Sequence, residues 1–320
     1  GIDVLDYSVL DSNAYINLSG SDQTVRGTTV VSGTASDGFG YTDTLNSIEH
    51  VRSGSGNDSV WTSDTATFVA TNSGADSIVG GDGGDTIYAG SGADTINAGD
   101  GDNLIVGGAG SDSMVGGQGS DTLRGGFGND TLNGGAGTDT ADYSGQVAGI
   151  RANLTNSVKD GLSAGTVNDG VGGIDTLTNI DVLIGSDGDD VIYGQSFDGG
   201  GVMTLDGGLG SDIIEAGSGG DTLVFDRGDI SLIGGTGTDT LRINDHLVDF
   251  SETWGMPSIT KIEKIELSAE SPQVIILDFD AVERMLQESG GATLTVEGKP
   301  GDRVVFADLG GWSQSGSNWS

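Results

Sequence analysis

Apolar residues recur along this chain at every ninth position. Ten nine-residue units start at 53, 62, 71, 80, 89, 98, 107, 116, 125 and 134. Their eighth position holds Val60, Val69, Ile78, Ile87, Ile96, Ile105, Met114, Leu123, Leu132 and Ala141. The seventh is mostly Ser or Thr, as at Thr86, Thr95, Thr122 and Thr131. One apolar side chain in nine fits neither a helical period nor strict alternation. The pattern predicts a short strand at positions seven to nine, with one side chain in and two out. Positions one to six form a turn, where glycine permits positive φ and close backbone approach. A three-residue strand cannot bury a lone side chain, so the units are expected to stack as coils around one thin core.

Most units follow the formula GGxGxDxUx. The clearest is Gly107-Gly108-Ala109-Gly110-Ser111-Asp112-Ser113-Met114-Val115, repeated from Gly116 to Arg124 and from Gly125 to Asn133. A second run opens with Gly185 to Tyr193, loses phase over Gly194 to Phe197, and resumes at 198, 207, 216, 225 and 234. Units 198 and 225 carry Met203 and Ile230 in place of the aspartate but keep Leu205 and Leu232. They are expected to keep the coil and lose whatever the aspartate binds.

A longer repeat overlays the short one. Asp3-Val4-Leu5-Asp6-Tyr7-Ser8 resembles Asp139-Thr140-Ala141-Asp142-Tyr143-Ser144, and Asp43-Thr44-Leu45 resembles Asp175-Thr176-Leu177. The segments 7–41 and 143–173 read as insertions that continue the coil with longer loops, with short strands at 15–18 and 28–31. From Ile243 the nonapeptide stops. Strands are expected at 262–267, 274–277, 293–297 and 303–307, with a turn at Gly298 to Asp302. A helix is expected from Ala281 to about Glu288, capped by Asp280 with Glu283 three residues on. Val282, Met285 and Leu286 share a face of it. A coil end exposes apolar residues and strand edges, so this segment is the expected cap. The organisation is therefore 1–52 and 143–184 as two copies of a β segment, 53–142 and 185–242 as two rolls, and 243–320 as a β-rich cap. Gly1 to Leu5 read like a unit already under way, which suggests a piece of a longer protein.

Composition sharpens the chemistry. The 320 residues include 60 glycines, 3 prolines and no cysteine, so neither a disulfide framework nor a thiolate metal site is available. The formal charge is −36, from 48 acidic against 12 basic side chains. Such a chain repels nucleic acid and anionic membranes, and it should fold poorly without counter-ions. No apolar run is long enough to span a membrane. Cations are the expected partner. Calcium takes six to eight oxygens, more than a single turn offers, so stacked turns must share it.

Catalytic constellations are weak. His50 and His246 are the only histidines and lie far apart in sequence. Carboxylates are too many for any one pair to stand out. Tyr7 and Tyr143 read as core packing at the insertions. Trp312 and Trp319 sit in a Ser/Gly-rich tail that packs on a neighbouring segment or offers a sugar-binding surface. The expected chain is not an enzyme.

The repeat resembles the RTX (repeats-in-toxin, hemolysin-type calcium-binding) family, and residues 278–311 resemble the region before the secretion signal of large RTX adhesins. The resemblance implies an all-β, right-handed parallel β-roll with two nonapeptides per turn. It also implies calcium held by carbonyls two and four plus the aspartate of one turn, and by carbonyls one and three plus the aspartate eighteen residues later. On this chain that pairs Gly90, Gly92 and Asp94 with Gly107, Ala109 and Asp112. Gly108, Gly110 and Asp112 meet Gly125, Phe127 and Asp130. Gly117, Gly119 and Asp121 meet Gly134, Ala136 and Asp139. Gly217, Gly219 and Asp221 meet Gly234, Thr236 and Asp239. Further ligands under the same rule are Gly54, Gly56, Asp58, Gly74, Asp76, Gly81, Gly83, Asp85, Ala89, Ser91, Gly99, Gly101, Asn103, Gly116, Gln118, Asp190 and Asp212. Asn103 should weaken its two sites, and Thr67 should weaken the one at unit 62. Roughly eight ions are expected. The resemblance further implies export by type I secretion machinery from a Gram-negative bacterium and folding outside the cell. It points to a role in an adhesin or surface-layer-type protein, with a cell-surface or glycan ligand reached through the parent protein. The alternative is the carrier module of a secreted lipase, protease or epimerase.

Overall fold

Register follows the apolar column. In the computed structural model, Ile78 pairs with Ile96, Ile96 with Met114 and Met114 with Leu132, all in parallel strands eighteen residues apart. The alternate units align Val69, Ile87, Ile105, Leu123 and Ala141 in the same way. Two nonapeptides therefore make one coil. Both columns are buried and form the thin core between two sheets. Each buried Ile or Leu contributes about 1.5–3 kcal/mol, so the stack is stabilised by repetition rather than by any wide core. The structure describes residues 2–25, 28–39, 41–194, 201–251, 256–269, 271–287, 293–307, 314–315 and 318–319.

The chain divides into two units. The first comprises Gly1–Tyr143 and Thr166–Ile180. One of its sheets is wholly parallel and runs Val4–Asp6, His50–Arg52, Phe68–Ala70, Thr86–Ser91, Leu104–Ala109, Thr122–Phe127, Thr140–Asp142. The other stacks Ser59–Trp61, Ser77–Val79, Thr95–Asp100, Ser113–Gln118, Thr131–Ala136 and Ile174–Thr178.

The central strands are six residues long, not three. Pairing runs on into positions one to three of the next unit, for example Gly90 with Gly108 and Ser91 with Ala109. Position one then faces inward beside position eight, and Ala89 and Ala98 are fully buried there. Each unit thus turns two residues inward rather than one. The pairing is possible because glycines let neighbouring backbones approach closely.

The insertions also depart from a simple coil. Tyr15–Asn17 joins the stack parallel to Ser59–Trp61. It then pairs antiparallel with Thr34–Ser36, which pairs antiparallel with Thr42–Thr44. Thr28–Val30 forms a separate hairpin with Gln23–Val25. Thr166–Asn168 runs antiparallel to Ile174–Thr178. Short connecting loops favour hairpins, whereas a parallel return needs a longer crossover.

The second unit comprises Ser144–Gly165 and Asp181–Ser320. Its coils pair Val182–Ile184, Thr204–Asp206, Thr222–Phe225 and Thr240–Ile243 on one side. On the other they pair Arg151–Asn153, Val191–Tyr193, Ile213–Gly219 and Ser231–Gly237. The nonapeptide ends at 242, yet the stack does not. Lys264–Leu267 adds to Thr240–Ile243, Thr295–Glu297 adds to Lys264–Leu267, and Ser258–Thr260 adds to Ser231–Gly237. Leu247–Asp249, Val274–Leu277 and Arg303–Phe306 form a third parallel sheet.

The helix Phe279–Met285 buries Ala281 and Met285, one turn apart. Its N-cap is Asp278, not Asp280, and the Asp278 carboxylate accepts from Ala281 N at 2.6 Å. Asp278 follows directly on a strand and keeps extended dihedrals, which is the conformation a cap requires. Glu288, most of the phase break after Gly194, the start of unit 198 and Trp312 lie outside the described residues.

Candidate metal centre

The sixth position of each unit builds a chain of carboxylates beside the core. The backbone N–H of each aspartate donates to the Oδ1 of the aspartate one coil on. The first column runs Asp58, Asp76, Asp94, Asp112 and Asp130, with N···O distances of 2.7–2.9 Å. The second runs Thr67, Asp85, Asn103, Asp121 and Asp139. In the second unit Asp190 donates to Asp212, Met203 to Asp221, and Asp221 to Asp239. All the aspartates in these columns are buried, as is Asn103.

The second carboxylate oxygen is the informative one. Oδ2 of Asp58, Asp76, Asp94, Asp112, Asp121, Asp130, Asp212, Asp221 and Asp239 has no hydrogen-bond partner. It faces other acceptors. A methyl carbon placed on Gly107 would stand 2.5 Å from Asp112 Oδ2 and 2.8 Å from the Gly125 carbonyl oxygen. The same two kinds of oxygen crowd the equivalent point at Gly116, from Asp121 and Gly134; at Gly185, Asp190 and Gly207 do so too, but there the Ser186 N–H supplies a donor. Buried acceptors that converge without a donor need a cation or a proton between them. Hard oxygen donors of this kind suit calcium. Among the described residues no three His, Asp or Glu side chains gather around one point, so most oxygens in any such shell come from the backbone.

The predicted carbonyl ligands fall into two groups. At positions two and four the backbone is left-handed, as at Gly108 (φ 112°) and Gly110 (φ 144°). This conformation recurs at Gly74, Gly90, Gly92, Gly99, Gly101, Gly117, Gly119, Gly217 and Gly219. Gly54, Gly56, Gly81 and Gly83 do not share it, so the turns of units 53 and 80 are shaped differently from those of units 71, 89, 98, 107 and 116. Position-three carbonyls accept one ladder bond each. Ser91 accepts from Gly74, Ala109 from Gly92, Gln118 from Gly101, Phe127 from Gly110 and Ala136 from Gly119. One lone pair of each remains. Ala89, at position one, accepts from the Thr71 hydroxyl. Gly234 and Thr236 lie on the strand Ser231–Gly237, where Thr236 pairs with Ser218.

Departures from the formula show what replaces a cation. Asn103 turns its amide on the Gly101 carbonyl at 3.0 Å, supplying a donor where an aspartate has none. Beside Thr67, the Thr62 hydroxyl donates to Asp85 Oδ2 at 3.3 Å. Ser186 N–H donates to Asp190 Oδ2 at 2.7 Å.

Four residues outside the formula also enter the columns. Asp175 accepts from Asp130 N, and Glu263 accepts from Asp239 N. In unit 225 the aspartate arrives one position early, as buried Asp229, where the Asp212 charge acts on it. Asp169 is fully buried with Oδ2 unpartnered. Only Asp175 carried a sequence signal, through the long repeat.

Burial pushes these acids far above the usual carboxylate range, joined by neighbouring acidic groups at all of them except Asp85. Asp76 and Asp175 rise to about 7, and Asp85, Asp94, Asp130, Asp212 and Asp239 to about 6. Asp229 rises to about 8. A divalent ion would supply the missing counter-charge. His50 packs its ring on Phe68 at 5.2 Å, and His246 is exposed.

A parallel β-roll with a buried carboxylate column on each side defines a cation-binding solenoid. The RTX calcium-binding nonapeptide repeat matches in four copies, at residues 71–105, 106–141, 175–196 and 204–229. Over those residues the chain carries RTX repeats of the calcium-binding kind. A comparison with curated proteins finds no match. Among the described residues no helix is long and apolar enough to cross a membrane.

Proposed function

We propose that the chain is a non-enzymatic module of an extracellular bacterial protein, of the adhesin or surface-layer type, that folds on calcium after export through type I secretion machinery. One observation carries the reading. Nine buried column aspartates leave one oxygen without a protein donor, in a chain of formal charge −36. The carboxylates and turn carbonyls named above are its calcium ligands. At micromolar calcium the buried charges oppose stacking, and the chain passes out unfolded. At millimolar calcium, binding to the folded state alone stabilises it by mass action. RTX repeats are typical of secreted proteins, which supports the extracellular setting.

The test is far-ultraviolet circular dichroism during a calcium titration after EGTA treatment. A β signal that grows between micromolar and millimolar calcium is expected; one unchanged in EGTA rejects the reading. The parent gene separates adhesin from carrier. Tandem immunoglobulin-like repeats upstream support the adhesin, and a lipase or protease domain overturns it.

A further inference from the structure

The turn at Gly126 to Asp130 has no nonapeptide partner eighteen residues on, because the chain enters the insertion at Tyr143. The stack closes instead with Ile174–Thr178, which places Thr176 against Thr131 and Leu177 against Leu132. The loop leading into that strand brings Asp169 over Gly128. Asp169 is fully buried. Its Oδ1 accepts the backbone N–H groups of Val171, Gly172 and Gly173 at 3.1, 3.0 and 2.7 Å. Those three bonds fix the carboxylate and leave Oδ2 facing inward, where it has no hydrogen-bond partner. A methyl carbon on Gly173 would overlap the Gly128 carbonyl oxygen and stand 2.7 Å from Asp169 Oδ2. Two acceptors therefore crowd one point with no donor between them. The Asp169 charge reaches Asp130 and helps hold its carboxyl above the usual range, and Asp130 Oδ2 also lacks a partner. Asp175 does not compete, since Asp130 N and the Tyr143 hydroxyl already take its two oxygens.

We propose that Asp169 completes a divalent-cation site with the Gly128 carbonyl and Asp130, outside the nonapeptide formula. The insertion loop thereby supplies the oxygen that the missing turn would have given, and the last half-site of the run is used. The ligand is a hard dication, calcium by the donor set. The inference rests on the reading that the roll binds calcium. The chain holds a precedent for the alternative, because Asn103 solves a similar crowding with its amide on the Gly101 carbonyl. Asp169→Asn should do the same at Gly128 and dispense with the ion.

The experiment counts calcium bound to the full chain at saturation by equilibrium dialysis, for wild type and Asp169→Asn. The variant is expected to bind one ion fewer, with the wild-type β signal retained. An unchanged count overturns the proposal, because a proton shared with Asp169 would then suffice. A second measurement does not depend on the variant folding. A terbium-soaked wild-type crystal should show an anomalous peak about 2.3–2.6 Å from both Asp169 Oδ2 and the Gly128 oxygen. Peaks at the nonapeptide turns with none here overturn this site alone. No bound ion anywhere overturns the calcium reading and this site with it.

Discussion

The phenolic hydroxyl of Tyr143 donates to Asp175 Oδ2 at 2.8 Å, where the equivalent oxygen of Asp94 or Asp112 has no protein donor. Tyr143 is buried, and that burial together with the Asp175 charge holds its hydroxyl protonated well above the ordinary range. A hydroxyl thus stands in for the counter-charge where the column meets the insertion. The first long repeat makes the same pairing between Tyr7 and Asp43, in a more open setting. Tyr143→Phe should leave a buried carboxylate oxygen unsatisfied and cost about 1–3 kcal/mol. Tyr7→Phe should cost less. Thermal denaturation of both variants at saturating calcium checks the order.

Acid should partly replace calcium. Asp76, Asp85, Asp94, Asp130, Asp175, Asp212 and Asp239 have folded-state values of about 6 to 7, above the roughly 3.9 of an unfolded aspartate. A raised group adds stability that is complete below its unfolded value and is lost as pH rises through its folded value. In EGTA the β signal at pH 5 should therefore exceed that at pH 8. With calcium present the order should reverse, because the ion binds the ionised form. A metal-free signal that does not change between pH 5 and 8 would contradict the burial of these acids.

Much of this was legible in the sequence, and for a physical reason. A column repeated every nine residues fixes both the pairing of Ile96 with Met114 and the place of Asp112 beside it. The insertions were not legible to the same degree. Asp169 and Asp229 lie off the period, so only the backbone path shows that they reach the columns. Glu263 replaces an aspartate after the repeat has ended. The six-residue strands depend on hydrogen bonds between glycines such as Gly90 and Gly108, which leave no apolar signature. The helix cap moved to Asp278 because the preceding strand delivers that residue already extended.

Neighbouring glycines should differ sharply in tolerance. Gly108 has φ 112°, and a methyl group there would overlap the Gly90 carbonyl. Gly108→Ala should cost well over about 1 kcal/mol and raise the calcium midpoint of folding. Gly107 occupies the turn position that Ala89 and Ala98 fill without exposure, so Gly107→Ala should be milder than Gly108→Ala, yet it should still raise the calcium midpoint because the methyl meets the Asp112 carboxylate at 2.5 Å. Leu123→Ala should cost about 2–5 kcal/mol by opening a cavity in the thin core between the two sheets. Calcium titrations followed by circular dichroism rank the three.

Asn103→Asp should convert a self-satisfied turn into one that needs an ion. In the native chain the Asn103 amide donates to the Gly101 carbonyl at 3.0 Å, while its Oδ1 accepts from Asp85 N at 2.7 Å. The aspartate would keep the Oδ1 bond and set a second acceptor against the carbonyl, as at Asp112 and Asp121. Without calcium that crowding is repulsive, so the variant should be less stable than wild type in EGTA. With calcium it should bind at least one ion more and gain stability by roughly 1.4 kcal/mol per tenfold excess over the dissociation constant. Dialysis counts and paired thermal melts read both effects. A variant that binds no extra ion and melts alike in calcium and EGTA would show that the buried carboxylate pattern is not what recruits the metal.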